Sequence, residues 1–256
     1  MSAFAPLLEV LDRYLSTGRT ATLWWRDDDA SSPSPALDRL LALSQRTEVP
    51  LALAVVPAPV QEALAARLAQ TDAAVDVLQH GYAHQNYAGD GEKKIELGPQ
   101  RPAQVILGEL ATGWLRLETL FPGKALPVLV PPWNRLAPFL LPVLPELGYR
   151  GLSQFGPRKR AVPVQHLQQV NCHLDPIDWR GSRRFVGAPT AVAQLAAHLA
   201  LRLQAGEGAV GSEPSGLMTH HAVHSEELWR FLEELLIVTR SHKAVRWLPA
   251  REVFGL

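Results

Sequence analysis

Apolar positions along the chain recur with two alternating periods. Spacings of three and four residues mark segments 6–15, 35–45, 59–69, 102–120, 138–147, 190–203 and 225–239, and predict helices with one face turned toward a core. Several of these open on proline, which suits a first helical turn because the N–H it lacks would have no partner there. Between them lie short apolar or β-branched runs at 22–25, 51–56, 75–79, 126–130, 149–153, 169–173, 216–219 and 244–248, which predict strands. Strands separated by helices imply parallel pairing with helices covering the sheet. About seven or eight such units suit a closed or nearly closed β/α barrel of parallel strands, with an open doubly wound sheet as the alternative. A single domain over residues 1–256 is the expectation.

Polar clusters follow the predicted strands at their C-terminal ends, where α/β proteins gather their sites. Asp27, Asp28 and Asp29 close the apolar run 21–25. Adjacent carboxylates repel one another and resist burial unless a cation or hydrogen bonds compensate. A divalent metal would do so; the plainer alternative is an acidic turn in which Asp29 or Ser31 caps the helix near Pro35. His80 and His84 follow the run 75–79 and place two imidazoles either on one helical face or around one tight turn, and both arrangements can grip one ion. An aspartate would complete a triad with open positions, at which water loses a proton near neutral pH and attacks a polarised carbonyl. Farther on come Pro131-Pro132-Trp133-Asn134-Arg135, Asp175-Pro176-Ile177-Asp178-Trp179 and Leu217-Met218-Thr219-His220-His221, each at or just after a predicted strand end.

This ordered set, covering roughly residues 22–221, resembles the polysaccharide deacetylase family, carbohydrate esterase family 4, the chitooligosaccharide deacetylase homology domain. The resemblance implies a distorted β/α barrel with Asp27 as general base and Asp28, His80 and His84 as ligands of a metal, usually zinc. It also implies that His220 is the general acid, that Pro131, Pro132 and Trp133 form one side of the substrate groove, with Asn134 and Arg135 as adjoining substrate-binding candidates, that Asp175, Asp178 and Trp179 form the fourth motif, and that Leu217 or Met218 lines the acyl pocket. His221 adjoins His220, and either can face inward. The sequence departs from the family pattern in two other places. The arginine that orients the base in the family is Val130 here, with Arg135 or Arg26 as substitutes, and Asp29 stands where glycine is usual, so three carboxylates compete for the roles of base and ligand. These departures mark a divergent branch.

Lysine plus arginine equals aspartate plus glutamate at 25 each, which gives no electrostatic argument for nucleic acid or an anionic membrane as partner. The single cysteine, Cys172, excludes an internal disulfide framework and a cysteine-rich zinc module. There is no glycine-rich phosphate loop and no Gly-x-Ser-x-Gly elbow. The start lacks the pattern of an export signal and no apolar run approaches the roughly 18 residues of a membrane span, so a soluble, cytoplasmic protein is expected. Segment 87–101 reads as a long loop able to wall the site, and 154–165, with Arg158-Lys159-Arg160, as a second excursion at the solvated surface. His166, His173, His198 and His242 read as surface or packing residues, and His224 as the start of a helix.

The leading expectation is a metal-dependent hydrolase that removes an acetyl or related acyl group from the nitrogen of an amino sugar or other acylated small molecule. A barrel that binds carbohydrate without turning it over is the alternative from another class, and a metal hydrolase acting on another small C–N substrate, such as a cyclic amide, is the third.

Overall fold

The alternation of periods resolves, in a computed structural model describing residues 3–206 and 208–256, into a parallel sheet wrapped by helices. In chain order the elements are α1 (Ala5–Ser16), β1 (Ala21–Ala30), α2 (Pro35–Thr47), β2 (Leu51–Val55), α3 (Glu62–Ala69), β3 (Val75–His80), α4 (Ala103–Leu120), β4 (Ala125–Val130), β5 (Gly151–Leu152), β6 (Gln168–Gln169), α5 (Ala188–Ala205), β7 (Ser215–Thr219), α6 (Glu226–Arg240), β8 (Val245–Trp247) and α7 (Ala250–Val253). The helix starts follow local chemistry. Ser34 accepts from the Leu37 N–H ahead of Pro35, and Ser225 accepts from the Leu228 N–H ahead of two glutamates, caps each worth about 1 kcal/mol.

Seven strands run in the order β6-β5-β4-β3-β2-β1-β7, every pair parallel. The two end strands curl toward each other. The chain just past β6 pairs with the chain past β5 through Phe155 and Cys172 and with β7 through Leu174 and Leu217, so a few bonds form the closing seam, among them Met218 N–H to Leu174 O at 2.8 Å. The result is the distorted β/α barrel expected. β8 is not a further stave, because it pairs only with Ala21 to Leu23 at the start of β1, before β2 joins that strand at Arg26.

Strand alternation sorts side chains into two cores. Leu23, Trp25, Leu53, Val77 and Leu217 face the helices, while Trp24, Ala52, Ala54, Leu78, Val128, Val130 and Met218 fill the barrel. Phe254, just after α7, meets Trp24 edge-on with centroids 5.7 Å apart and closes the barrel floor near the strand starts. The strand C-terminal ends remain open for a site.

One predicted helix takes a different form. Segment 138–147 makes a 3-10 helix over Pro138–Val143 followed by turns, because Pro142 and Pro145 lack the N–H groups a continuous α-helix would use.

Candidate metal centre and active-site cleft

The three aspartates leave β1 in three directions. Strand alternation sends Asp27 outward with Trp25 and sends Asp28 inward with Trp24 and Arg26. The register with β2 then slips between Asp27 and Ala30, and Asp29 takes a left-handed φ of 74°. Such a bulge re-aims a side chain at the rim of a barrel. Here it turns Asp29 over the mouth, where its Oδ1 lies 3.0 Å from His80 Nε2 and 3.2 Å from His84 Nε2. The carboxylate that joins the imidazoles is therefore Asp29, not Asp28.

His80 ends β3, and its Nδ1 donates to the Val130 carbonyl at 2.9 Å. Held in that way, the ring aims Nε2 at the mouth as the nitrogen that can bind an ion; burial lowers the His80 pKa, but the hydrogen bond to Asp29 and the charges of Asp28 and Asp29 raise it overall. His84 reaches the same point around a tight turn rather than along a helix, with a left-handed φ of 55°. Buried Glu96 fixes that turn by accepting from the N–H groups of Tyr82 and Ala83 at 3.1 and 2.7 Å. Gly81 is required there. A Cβ would sit 2.0 Å from Glu96 Oε2 and 2.6 Å from the Pro132 ring, at a φ of 55° that L side chains rarely adopt.

One ligand atom from each of Asp29, His80 and His84 lies within 4.8 Å of the others. Two imidazole nitrogens and a carboxylate oxygen on one side of a cleft form a donor set suited to a zinc-like divalent ion with open positions. Burial would raise the Asp29 pKa, but the hydrogen bond and charge of His80, with the charges of His220 and His84, hold it well below the usual carboxylate range. Asp29 thus faces the mouth as an anion.

Asp28 has a different partner. Arg26, on the same inward face, grips it with Nε at 2.8 Å from Oδ1 and Nη2 at 3.0 Å from Oδ2. The same guanidinium donates to Ser153 Oγ and Asn134 Oδ1 at 2.6 and 2.9 Å, and it is wholly buried. Burial opposes its charge, yet Asp28 beside it raises the Arg26 pKa, so the guanidinium stays charged. Arg135 does not reach this aspartate; it donates to the Lys94 carbonyl at 2.6 Å and ties loop 87–101 to the turn carrying Trp133.

Asp27 lies behind the site. Its carboxylate accepts from Thr219 Oγ1, the His221 N–H and His221 Nδ1, all on the outer side of β1 and β7. That pairing decides between the adjacent histidines: His221 binds Asp27, and His220 lines the mouth. Trp179 stands edge-on to His220 with centroids 4.8 Å apart, and the buried His220 Nδ1 has no hydrogen-bond partner among the described residues. Asp175 shares the pocket, held by Trp179 Nε1 and the Ile177 N–H at 2.8 and 3.0 Å. Burial raises its pKa, and the neighbouring His220 acts the other way.

The central pocket has a volume of about 180 Å³. Trp133 forms one wall with its ring 4.5 Å from His84, and Met218 and Asn134 lie beneath. Trp179 is 42% exposed, a cleft residue rather than core. Leu217 faces the helix layer instead of an acyl pocket, and Asp178 is turned to its own loop, accepting from the Gly181 and Ser182 N–H groups, at the edge of an adjoining cleft.

A second cluster of the same residue types, His173, His198 and Glu213, is buried on the flank beside the closing seam. Its geometry differs. His173 Nδ1 accepts from the Gly216 N–H at 3.0 Å, so a neutral ring carries its proton on Nε2, 3.3 Å from Glu213 Oε2. The two rings stack at 3.4 Å and 10°, which sets their in-plane lone pairs side by side rather than converging. Glu213 already accepts from the Arg158 and Asn171 N–H groups. These groups form a packing and hydrogen-bonding unit, in keeping with the sequence reading of His173 and His198.

No family model and no curated protein sequence matches the chain. Solved structures do. A Mycobacterium smegmatis protein assigned as a polysaccharide deacetylase superposes with a TM-score of 0.66 at 14% identity, over 92% of this chain and 90% of that one. The fold is that of the polysaccharide deacetylases. The deacetylase-type barrel is also found in an allantoinase, with a TM-score of 0.64 at 14% identity over 93% and 90% of the two chains. It recurs in a family 4 acetyl xylan esterase from Clostridium thermocellum in complex with a cobalt ion, at 0.53 and 14% over 91% and 90%.

Sequence reasoning on this deacetylase-type barrel missed Glu96 and left Arg26 as one of two substitutes for the family arginine. A signal for Arg26 existed, since residues 24, 26 and 28 share one face of a strand. Nothing local marks Glu96, whose role arises only when its loop folds back under the histidine turn.

Proposed function

We propose that the chain is a divergent member of carbohydrate esterase family 4, a metal-dependent hydrolase that removes an acetyl or related acyl group from a nitrogen, with an acylated amino sugar as substrate class. The convergence of Asp29, His80 and His84 on one point beside His220 and two cleft tryptophans carries this reading. A cobalt ion in the similar esterase supports a divalent metal, and zinc is the ion best matched to the donor set.

Bound there, such an ion would polarise the substrate carbonyl and lower the pKa of water. Asp28 takes the water proton, and Arg26 fixes that carboxylate in orientation through its two hydrogen bonds. This moves the roles one residue along from the sequence expectation: Asp28 replaces Asp27 as base and Asp29 replaces Asp28 as ligand. His220, as general acid, donates to the leaving amine, with Asp175 beside it in the pocket. Trp133 and Trp179 offer apolar faces to a sugar ring, and the pocket above Met218 is sized for a small acyl group.

Hydrolysis of N-acetylated amino sugars by the zinc-loaded protein, measured as acetate release, tests the reading. Turnover in the parent and its loss in Asp29→Asn are expected; equal turnover in both would overturn it. The small central pocket also favours a second reading, a compact amide substrate, which the same assay separates by comparing free amides with sugars.

A further inference from the structure

The central pocket does not stand alone. Trp133, Asn134 and Asp175 join it to a cleft of about 730 Å³, and Asn134 and Phe155 join that cleft to an outer arm of about 610 Å³. The arm is chemically one-sided. Arg158, Lys159 and Arg160 line it consecutively, with Gln154, Gln169 and Asn171, and no carboxylate is among its lining residues.

Arg158 is buried and builds the arm. Its side chain donates to the Ala209 and Gln169 carbonyls and to Ser212 Oγ, all neutral acceptors, at 2.9, 2.6 and 2.9 Å. This anchoring places Lys159 and Arg160 on the exposed rim, and neither has an ion-pair partner among the described residues. Lys93, Arg135 and Arg180 continue the positive charge along the middle cleft. Of the carboxylates there, Asp178 is engaged by its own loop and Asp175 by Trp179 and Ile177. Buried Glu213 accepts from the Arg158 N–H at 2.9 Å and offsets that cation, so in a chain with a formal net charge of zero the cations without an ion pair among the described residues on this side of the candidate site are Lys159 and Arg160 with those of the middle cleft. Charge so arranged attracts and orients an anion.

We propose that the arm binds an anionic group, phosphate or carboxylate, carried by the substrate, so that the preferred substrate is an acylated amine bearing negative charge beyond the scissile bond. The proposal rests on the N-deacylase reading of the central pocket. Lys159 and Arg160 then act as specificity-determining residues at the far end of the cleft, and the amides of Gln154, Gln169 and Asn171 supply neutral hydrogen-bonding groups between.

The experiment compares kcat/KM of the zinc-loaded protein for N-acetylglucosamine, its 6-phosphate and the corresponding uronate. An anionic probe is expected to be favoured by roughly ten- to a hundredfold at low salt, with the preference shrinking toward one at about 1 M salt, where screening acts within about 3 Å. The double variant Lys159→Glu, Arg160→Glu should reverse the ratio of anionic to neutral kcat/KM. Phosphate and uronate are told apart by which probe shows the larger ratio. Equal ratios for all probes, or a preference that the double variant leaves intact, would overturn the proposal. Calorimetric binding of the same three probes gives a readout that does not need turnover. Loss of turnover in Asp29→Asn with no anion preference in the parent would leave the deacylase reading standing alone, whereas anion-selective binding without turnover would leave only the arm.

Discussion

Among the described residues the barrel holds two clusters of imidazoles and a carboxylate, and they differ in geometry and in access to solvent. At the mouth, Asp29 is 39% exposed and bends over His80 and His84, whose Nε2 atoms converge on it. On the flank, Glu213 is fully buried and saturated by backbone N–H groups, beside two stacked rings. The direction of the lone pairs and a route to solvent separate a ligand set from a packed hydrogen-bonding unit. A carbonyl opposite His80 Nδ1 frees Nε2, whereas an N–H opposite His173 Nδ1 places the proton on Nε2.

Substitutions along β1 test this contrast most sharply. Asp29→Asn should lower turnover by at least about a thousandfold, the several kcal/mol that a metal supplies to such a reaction. Asp28→Asn should lower kcat by roughly a hundred- to ten-thousandfold while the metal stays bound, as loss of a general base requires. Activity assays with metal analysis on the same preparations separate the two. Asp27→Asn breaks a buried pair with His221, so it should cost about 3 to 5 kcal/mol in denaturant unfolding and leave metal content intact. Turnover lost in that variant while its fold and metal persist would return the base to Asp27.

The flank cluster should answer in stability alone. Glu213→Gln exchanges a carboxylate oxygen for an N–H that faces a backbone donor, at a cost of roughly 1 to 3 kcal/mol in urea unfolding. The same flank also sets a pH dependence. Burial, with the charges of His173 and Arg202, pushes His198 down to about 2, so the folded state holds it neutral. A depressed histidine contributes its full stability above the unfolded value near 6.5 and loses it as pH falls toward the folded value. Between about pH 6.5 and 4 the parent should therefore lose up to about 1.4 kcal/mol per pH unit through this group, and His198→Gln should flatten that slope.

Much of this architecture was legible in the chain. The order of helices and strands followed from periodicity, and His80 stands at the end of the run read as a strand, with His84 in the turn beyond it. The identity of the carboxylate partner was not legible, because it depends on a one-residue slip between β1 and β2 that no local pattern announces. Strand alternation did contain the pairing of Arg26 with Asp28, two residues apart on one face. The choice between His220 and His221 required knowing that Asp27 points outward. The closing seam between Leu174 and Leu217 joins distant segments through so few bonds that periodicity could not reveal it.

Metal stoichiometry across one set of purified variants tests the central claim most directly. Elemental analysis after zinc loading should find one ion per chain in the parent, Asp27→Asn, Asp28→Asn and His198→Gln, and none in Asp29→Asn, His80→Ala or His84→Ala. Zinc retained without Asp29, or lost with His198, would contradict the account.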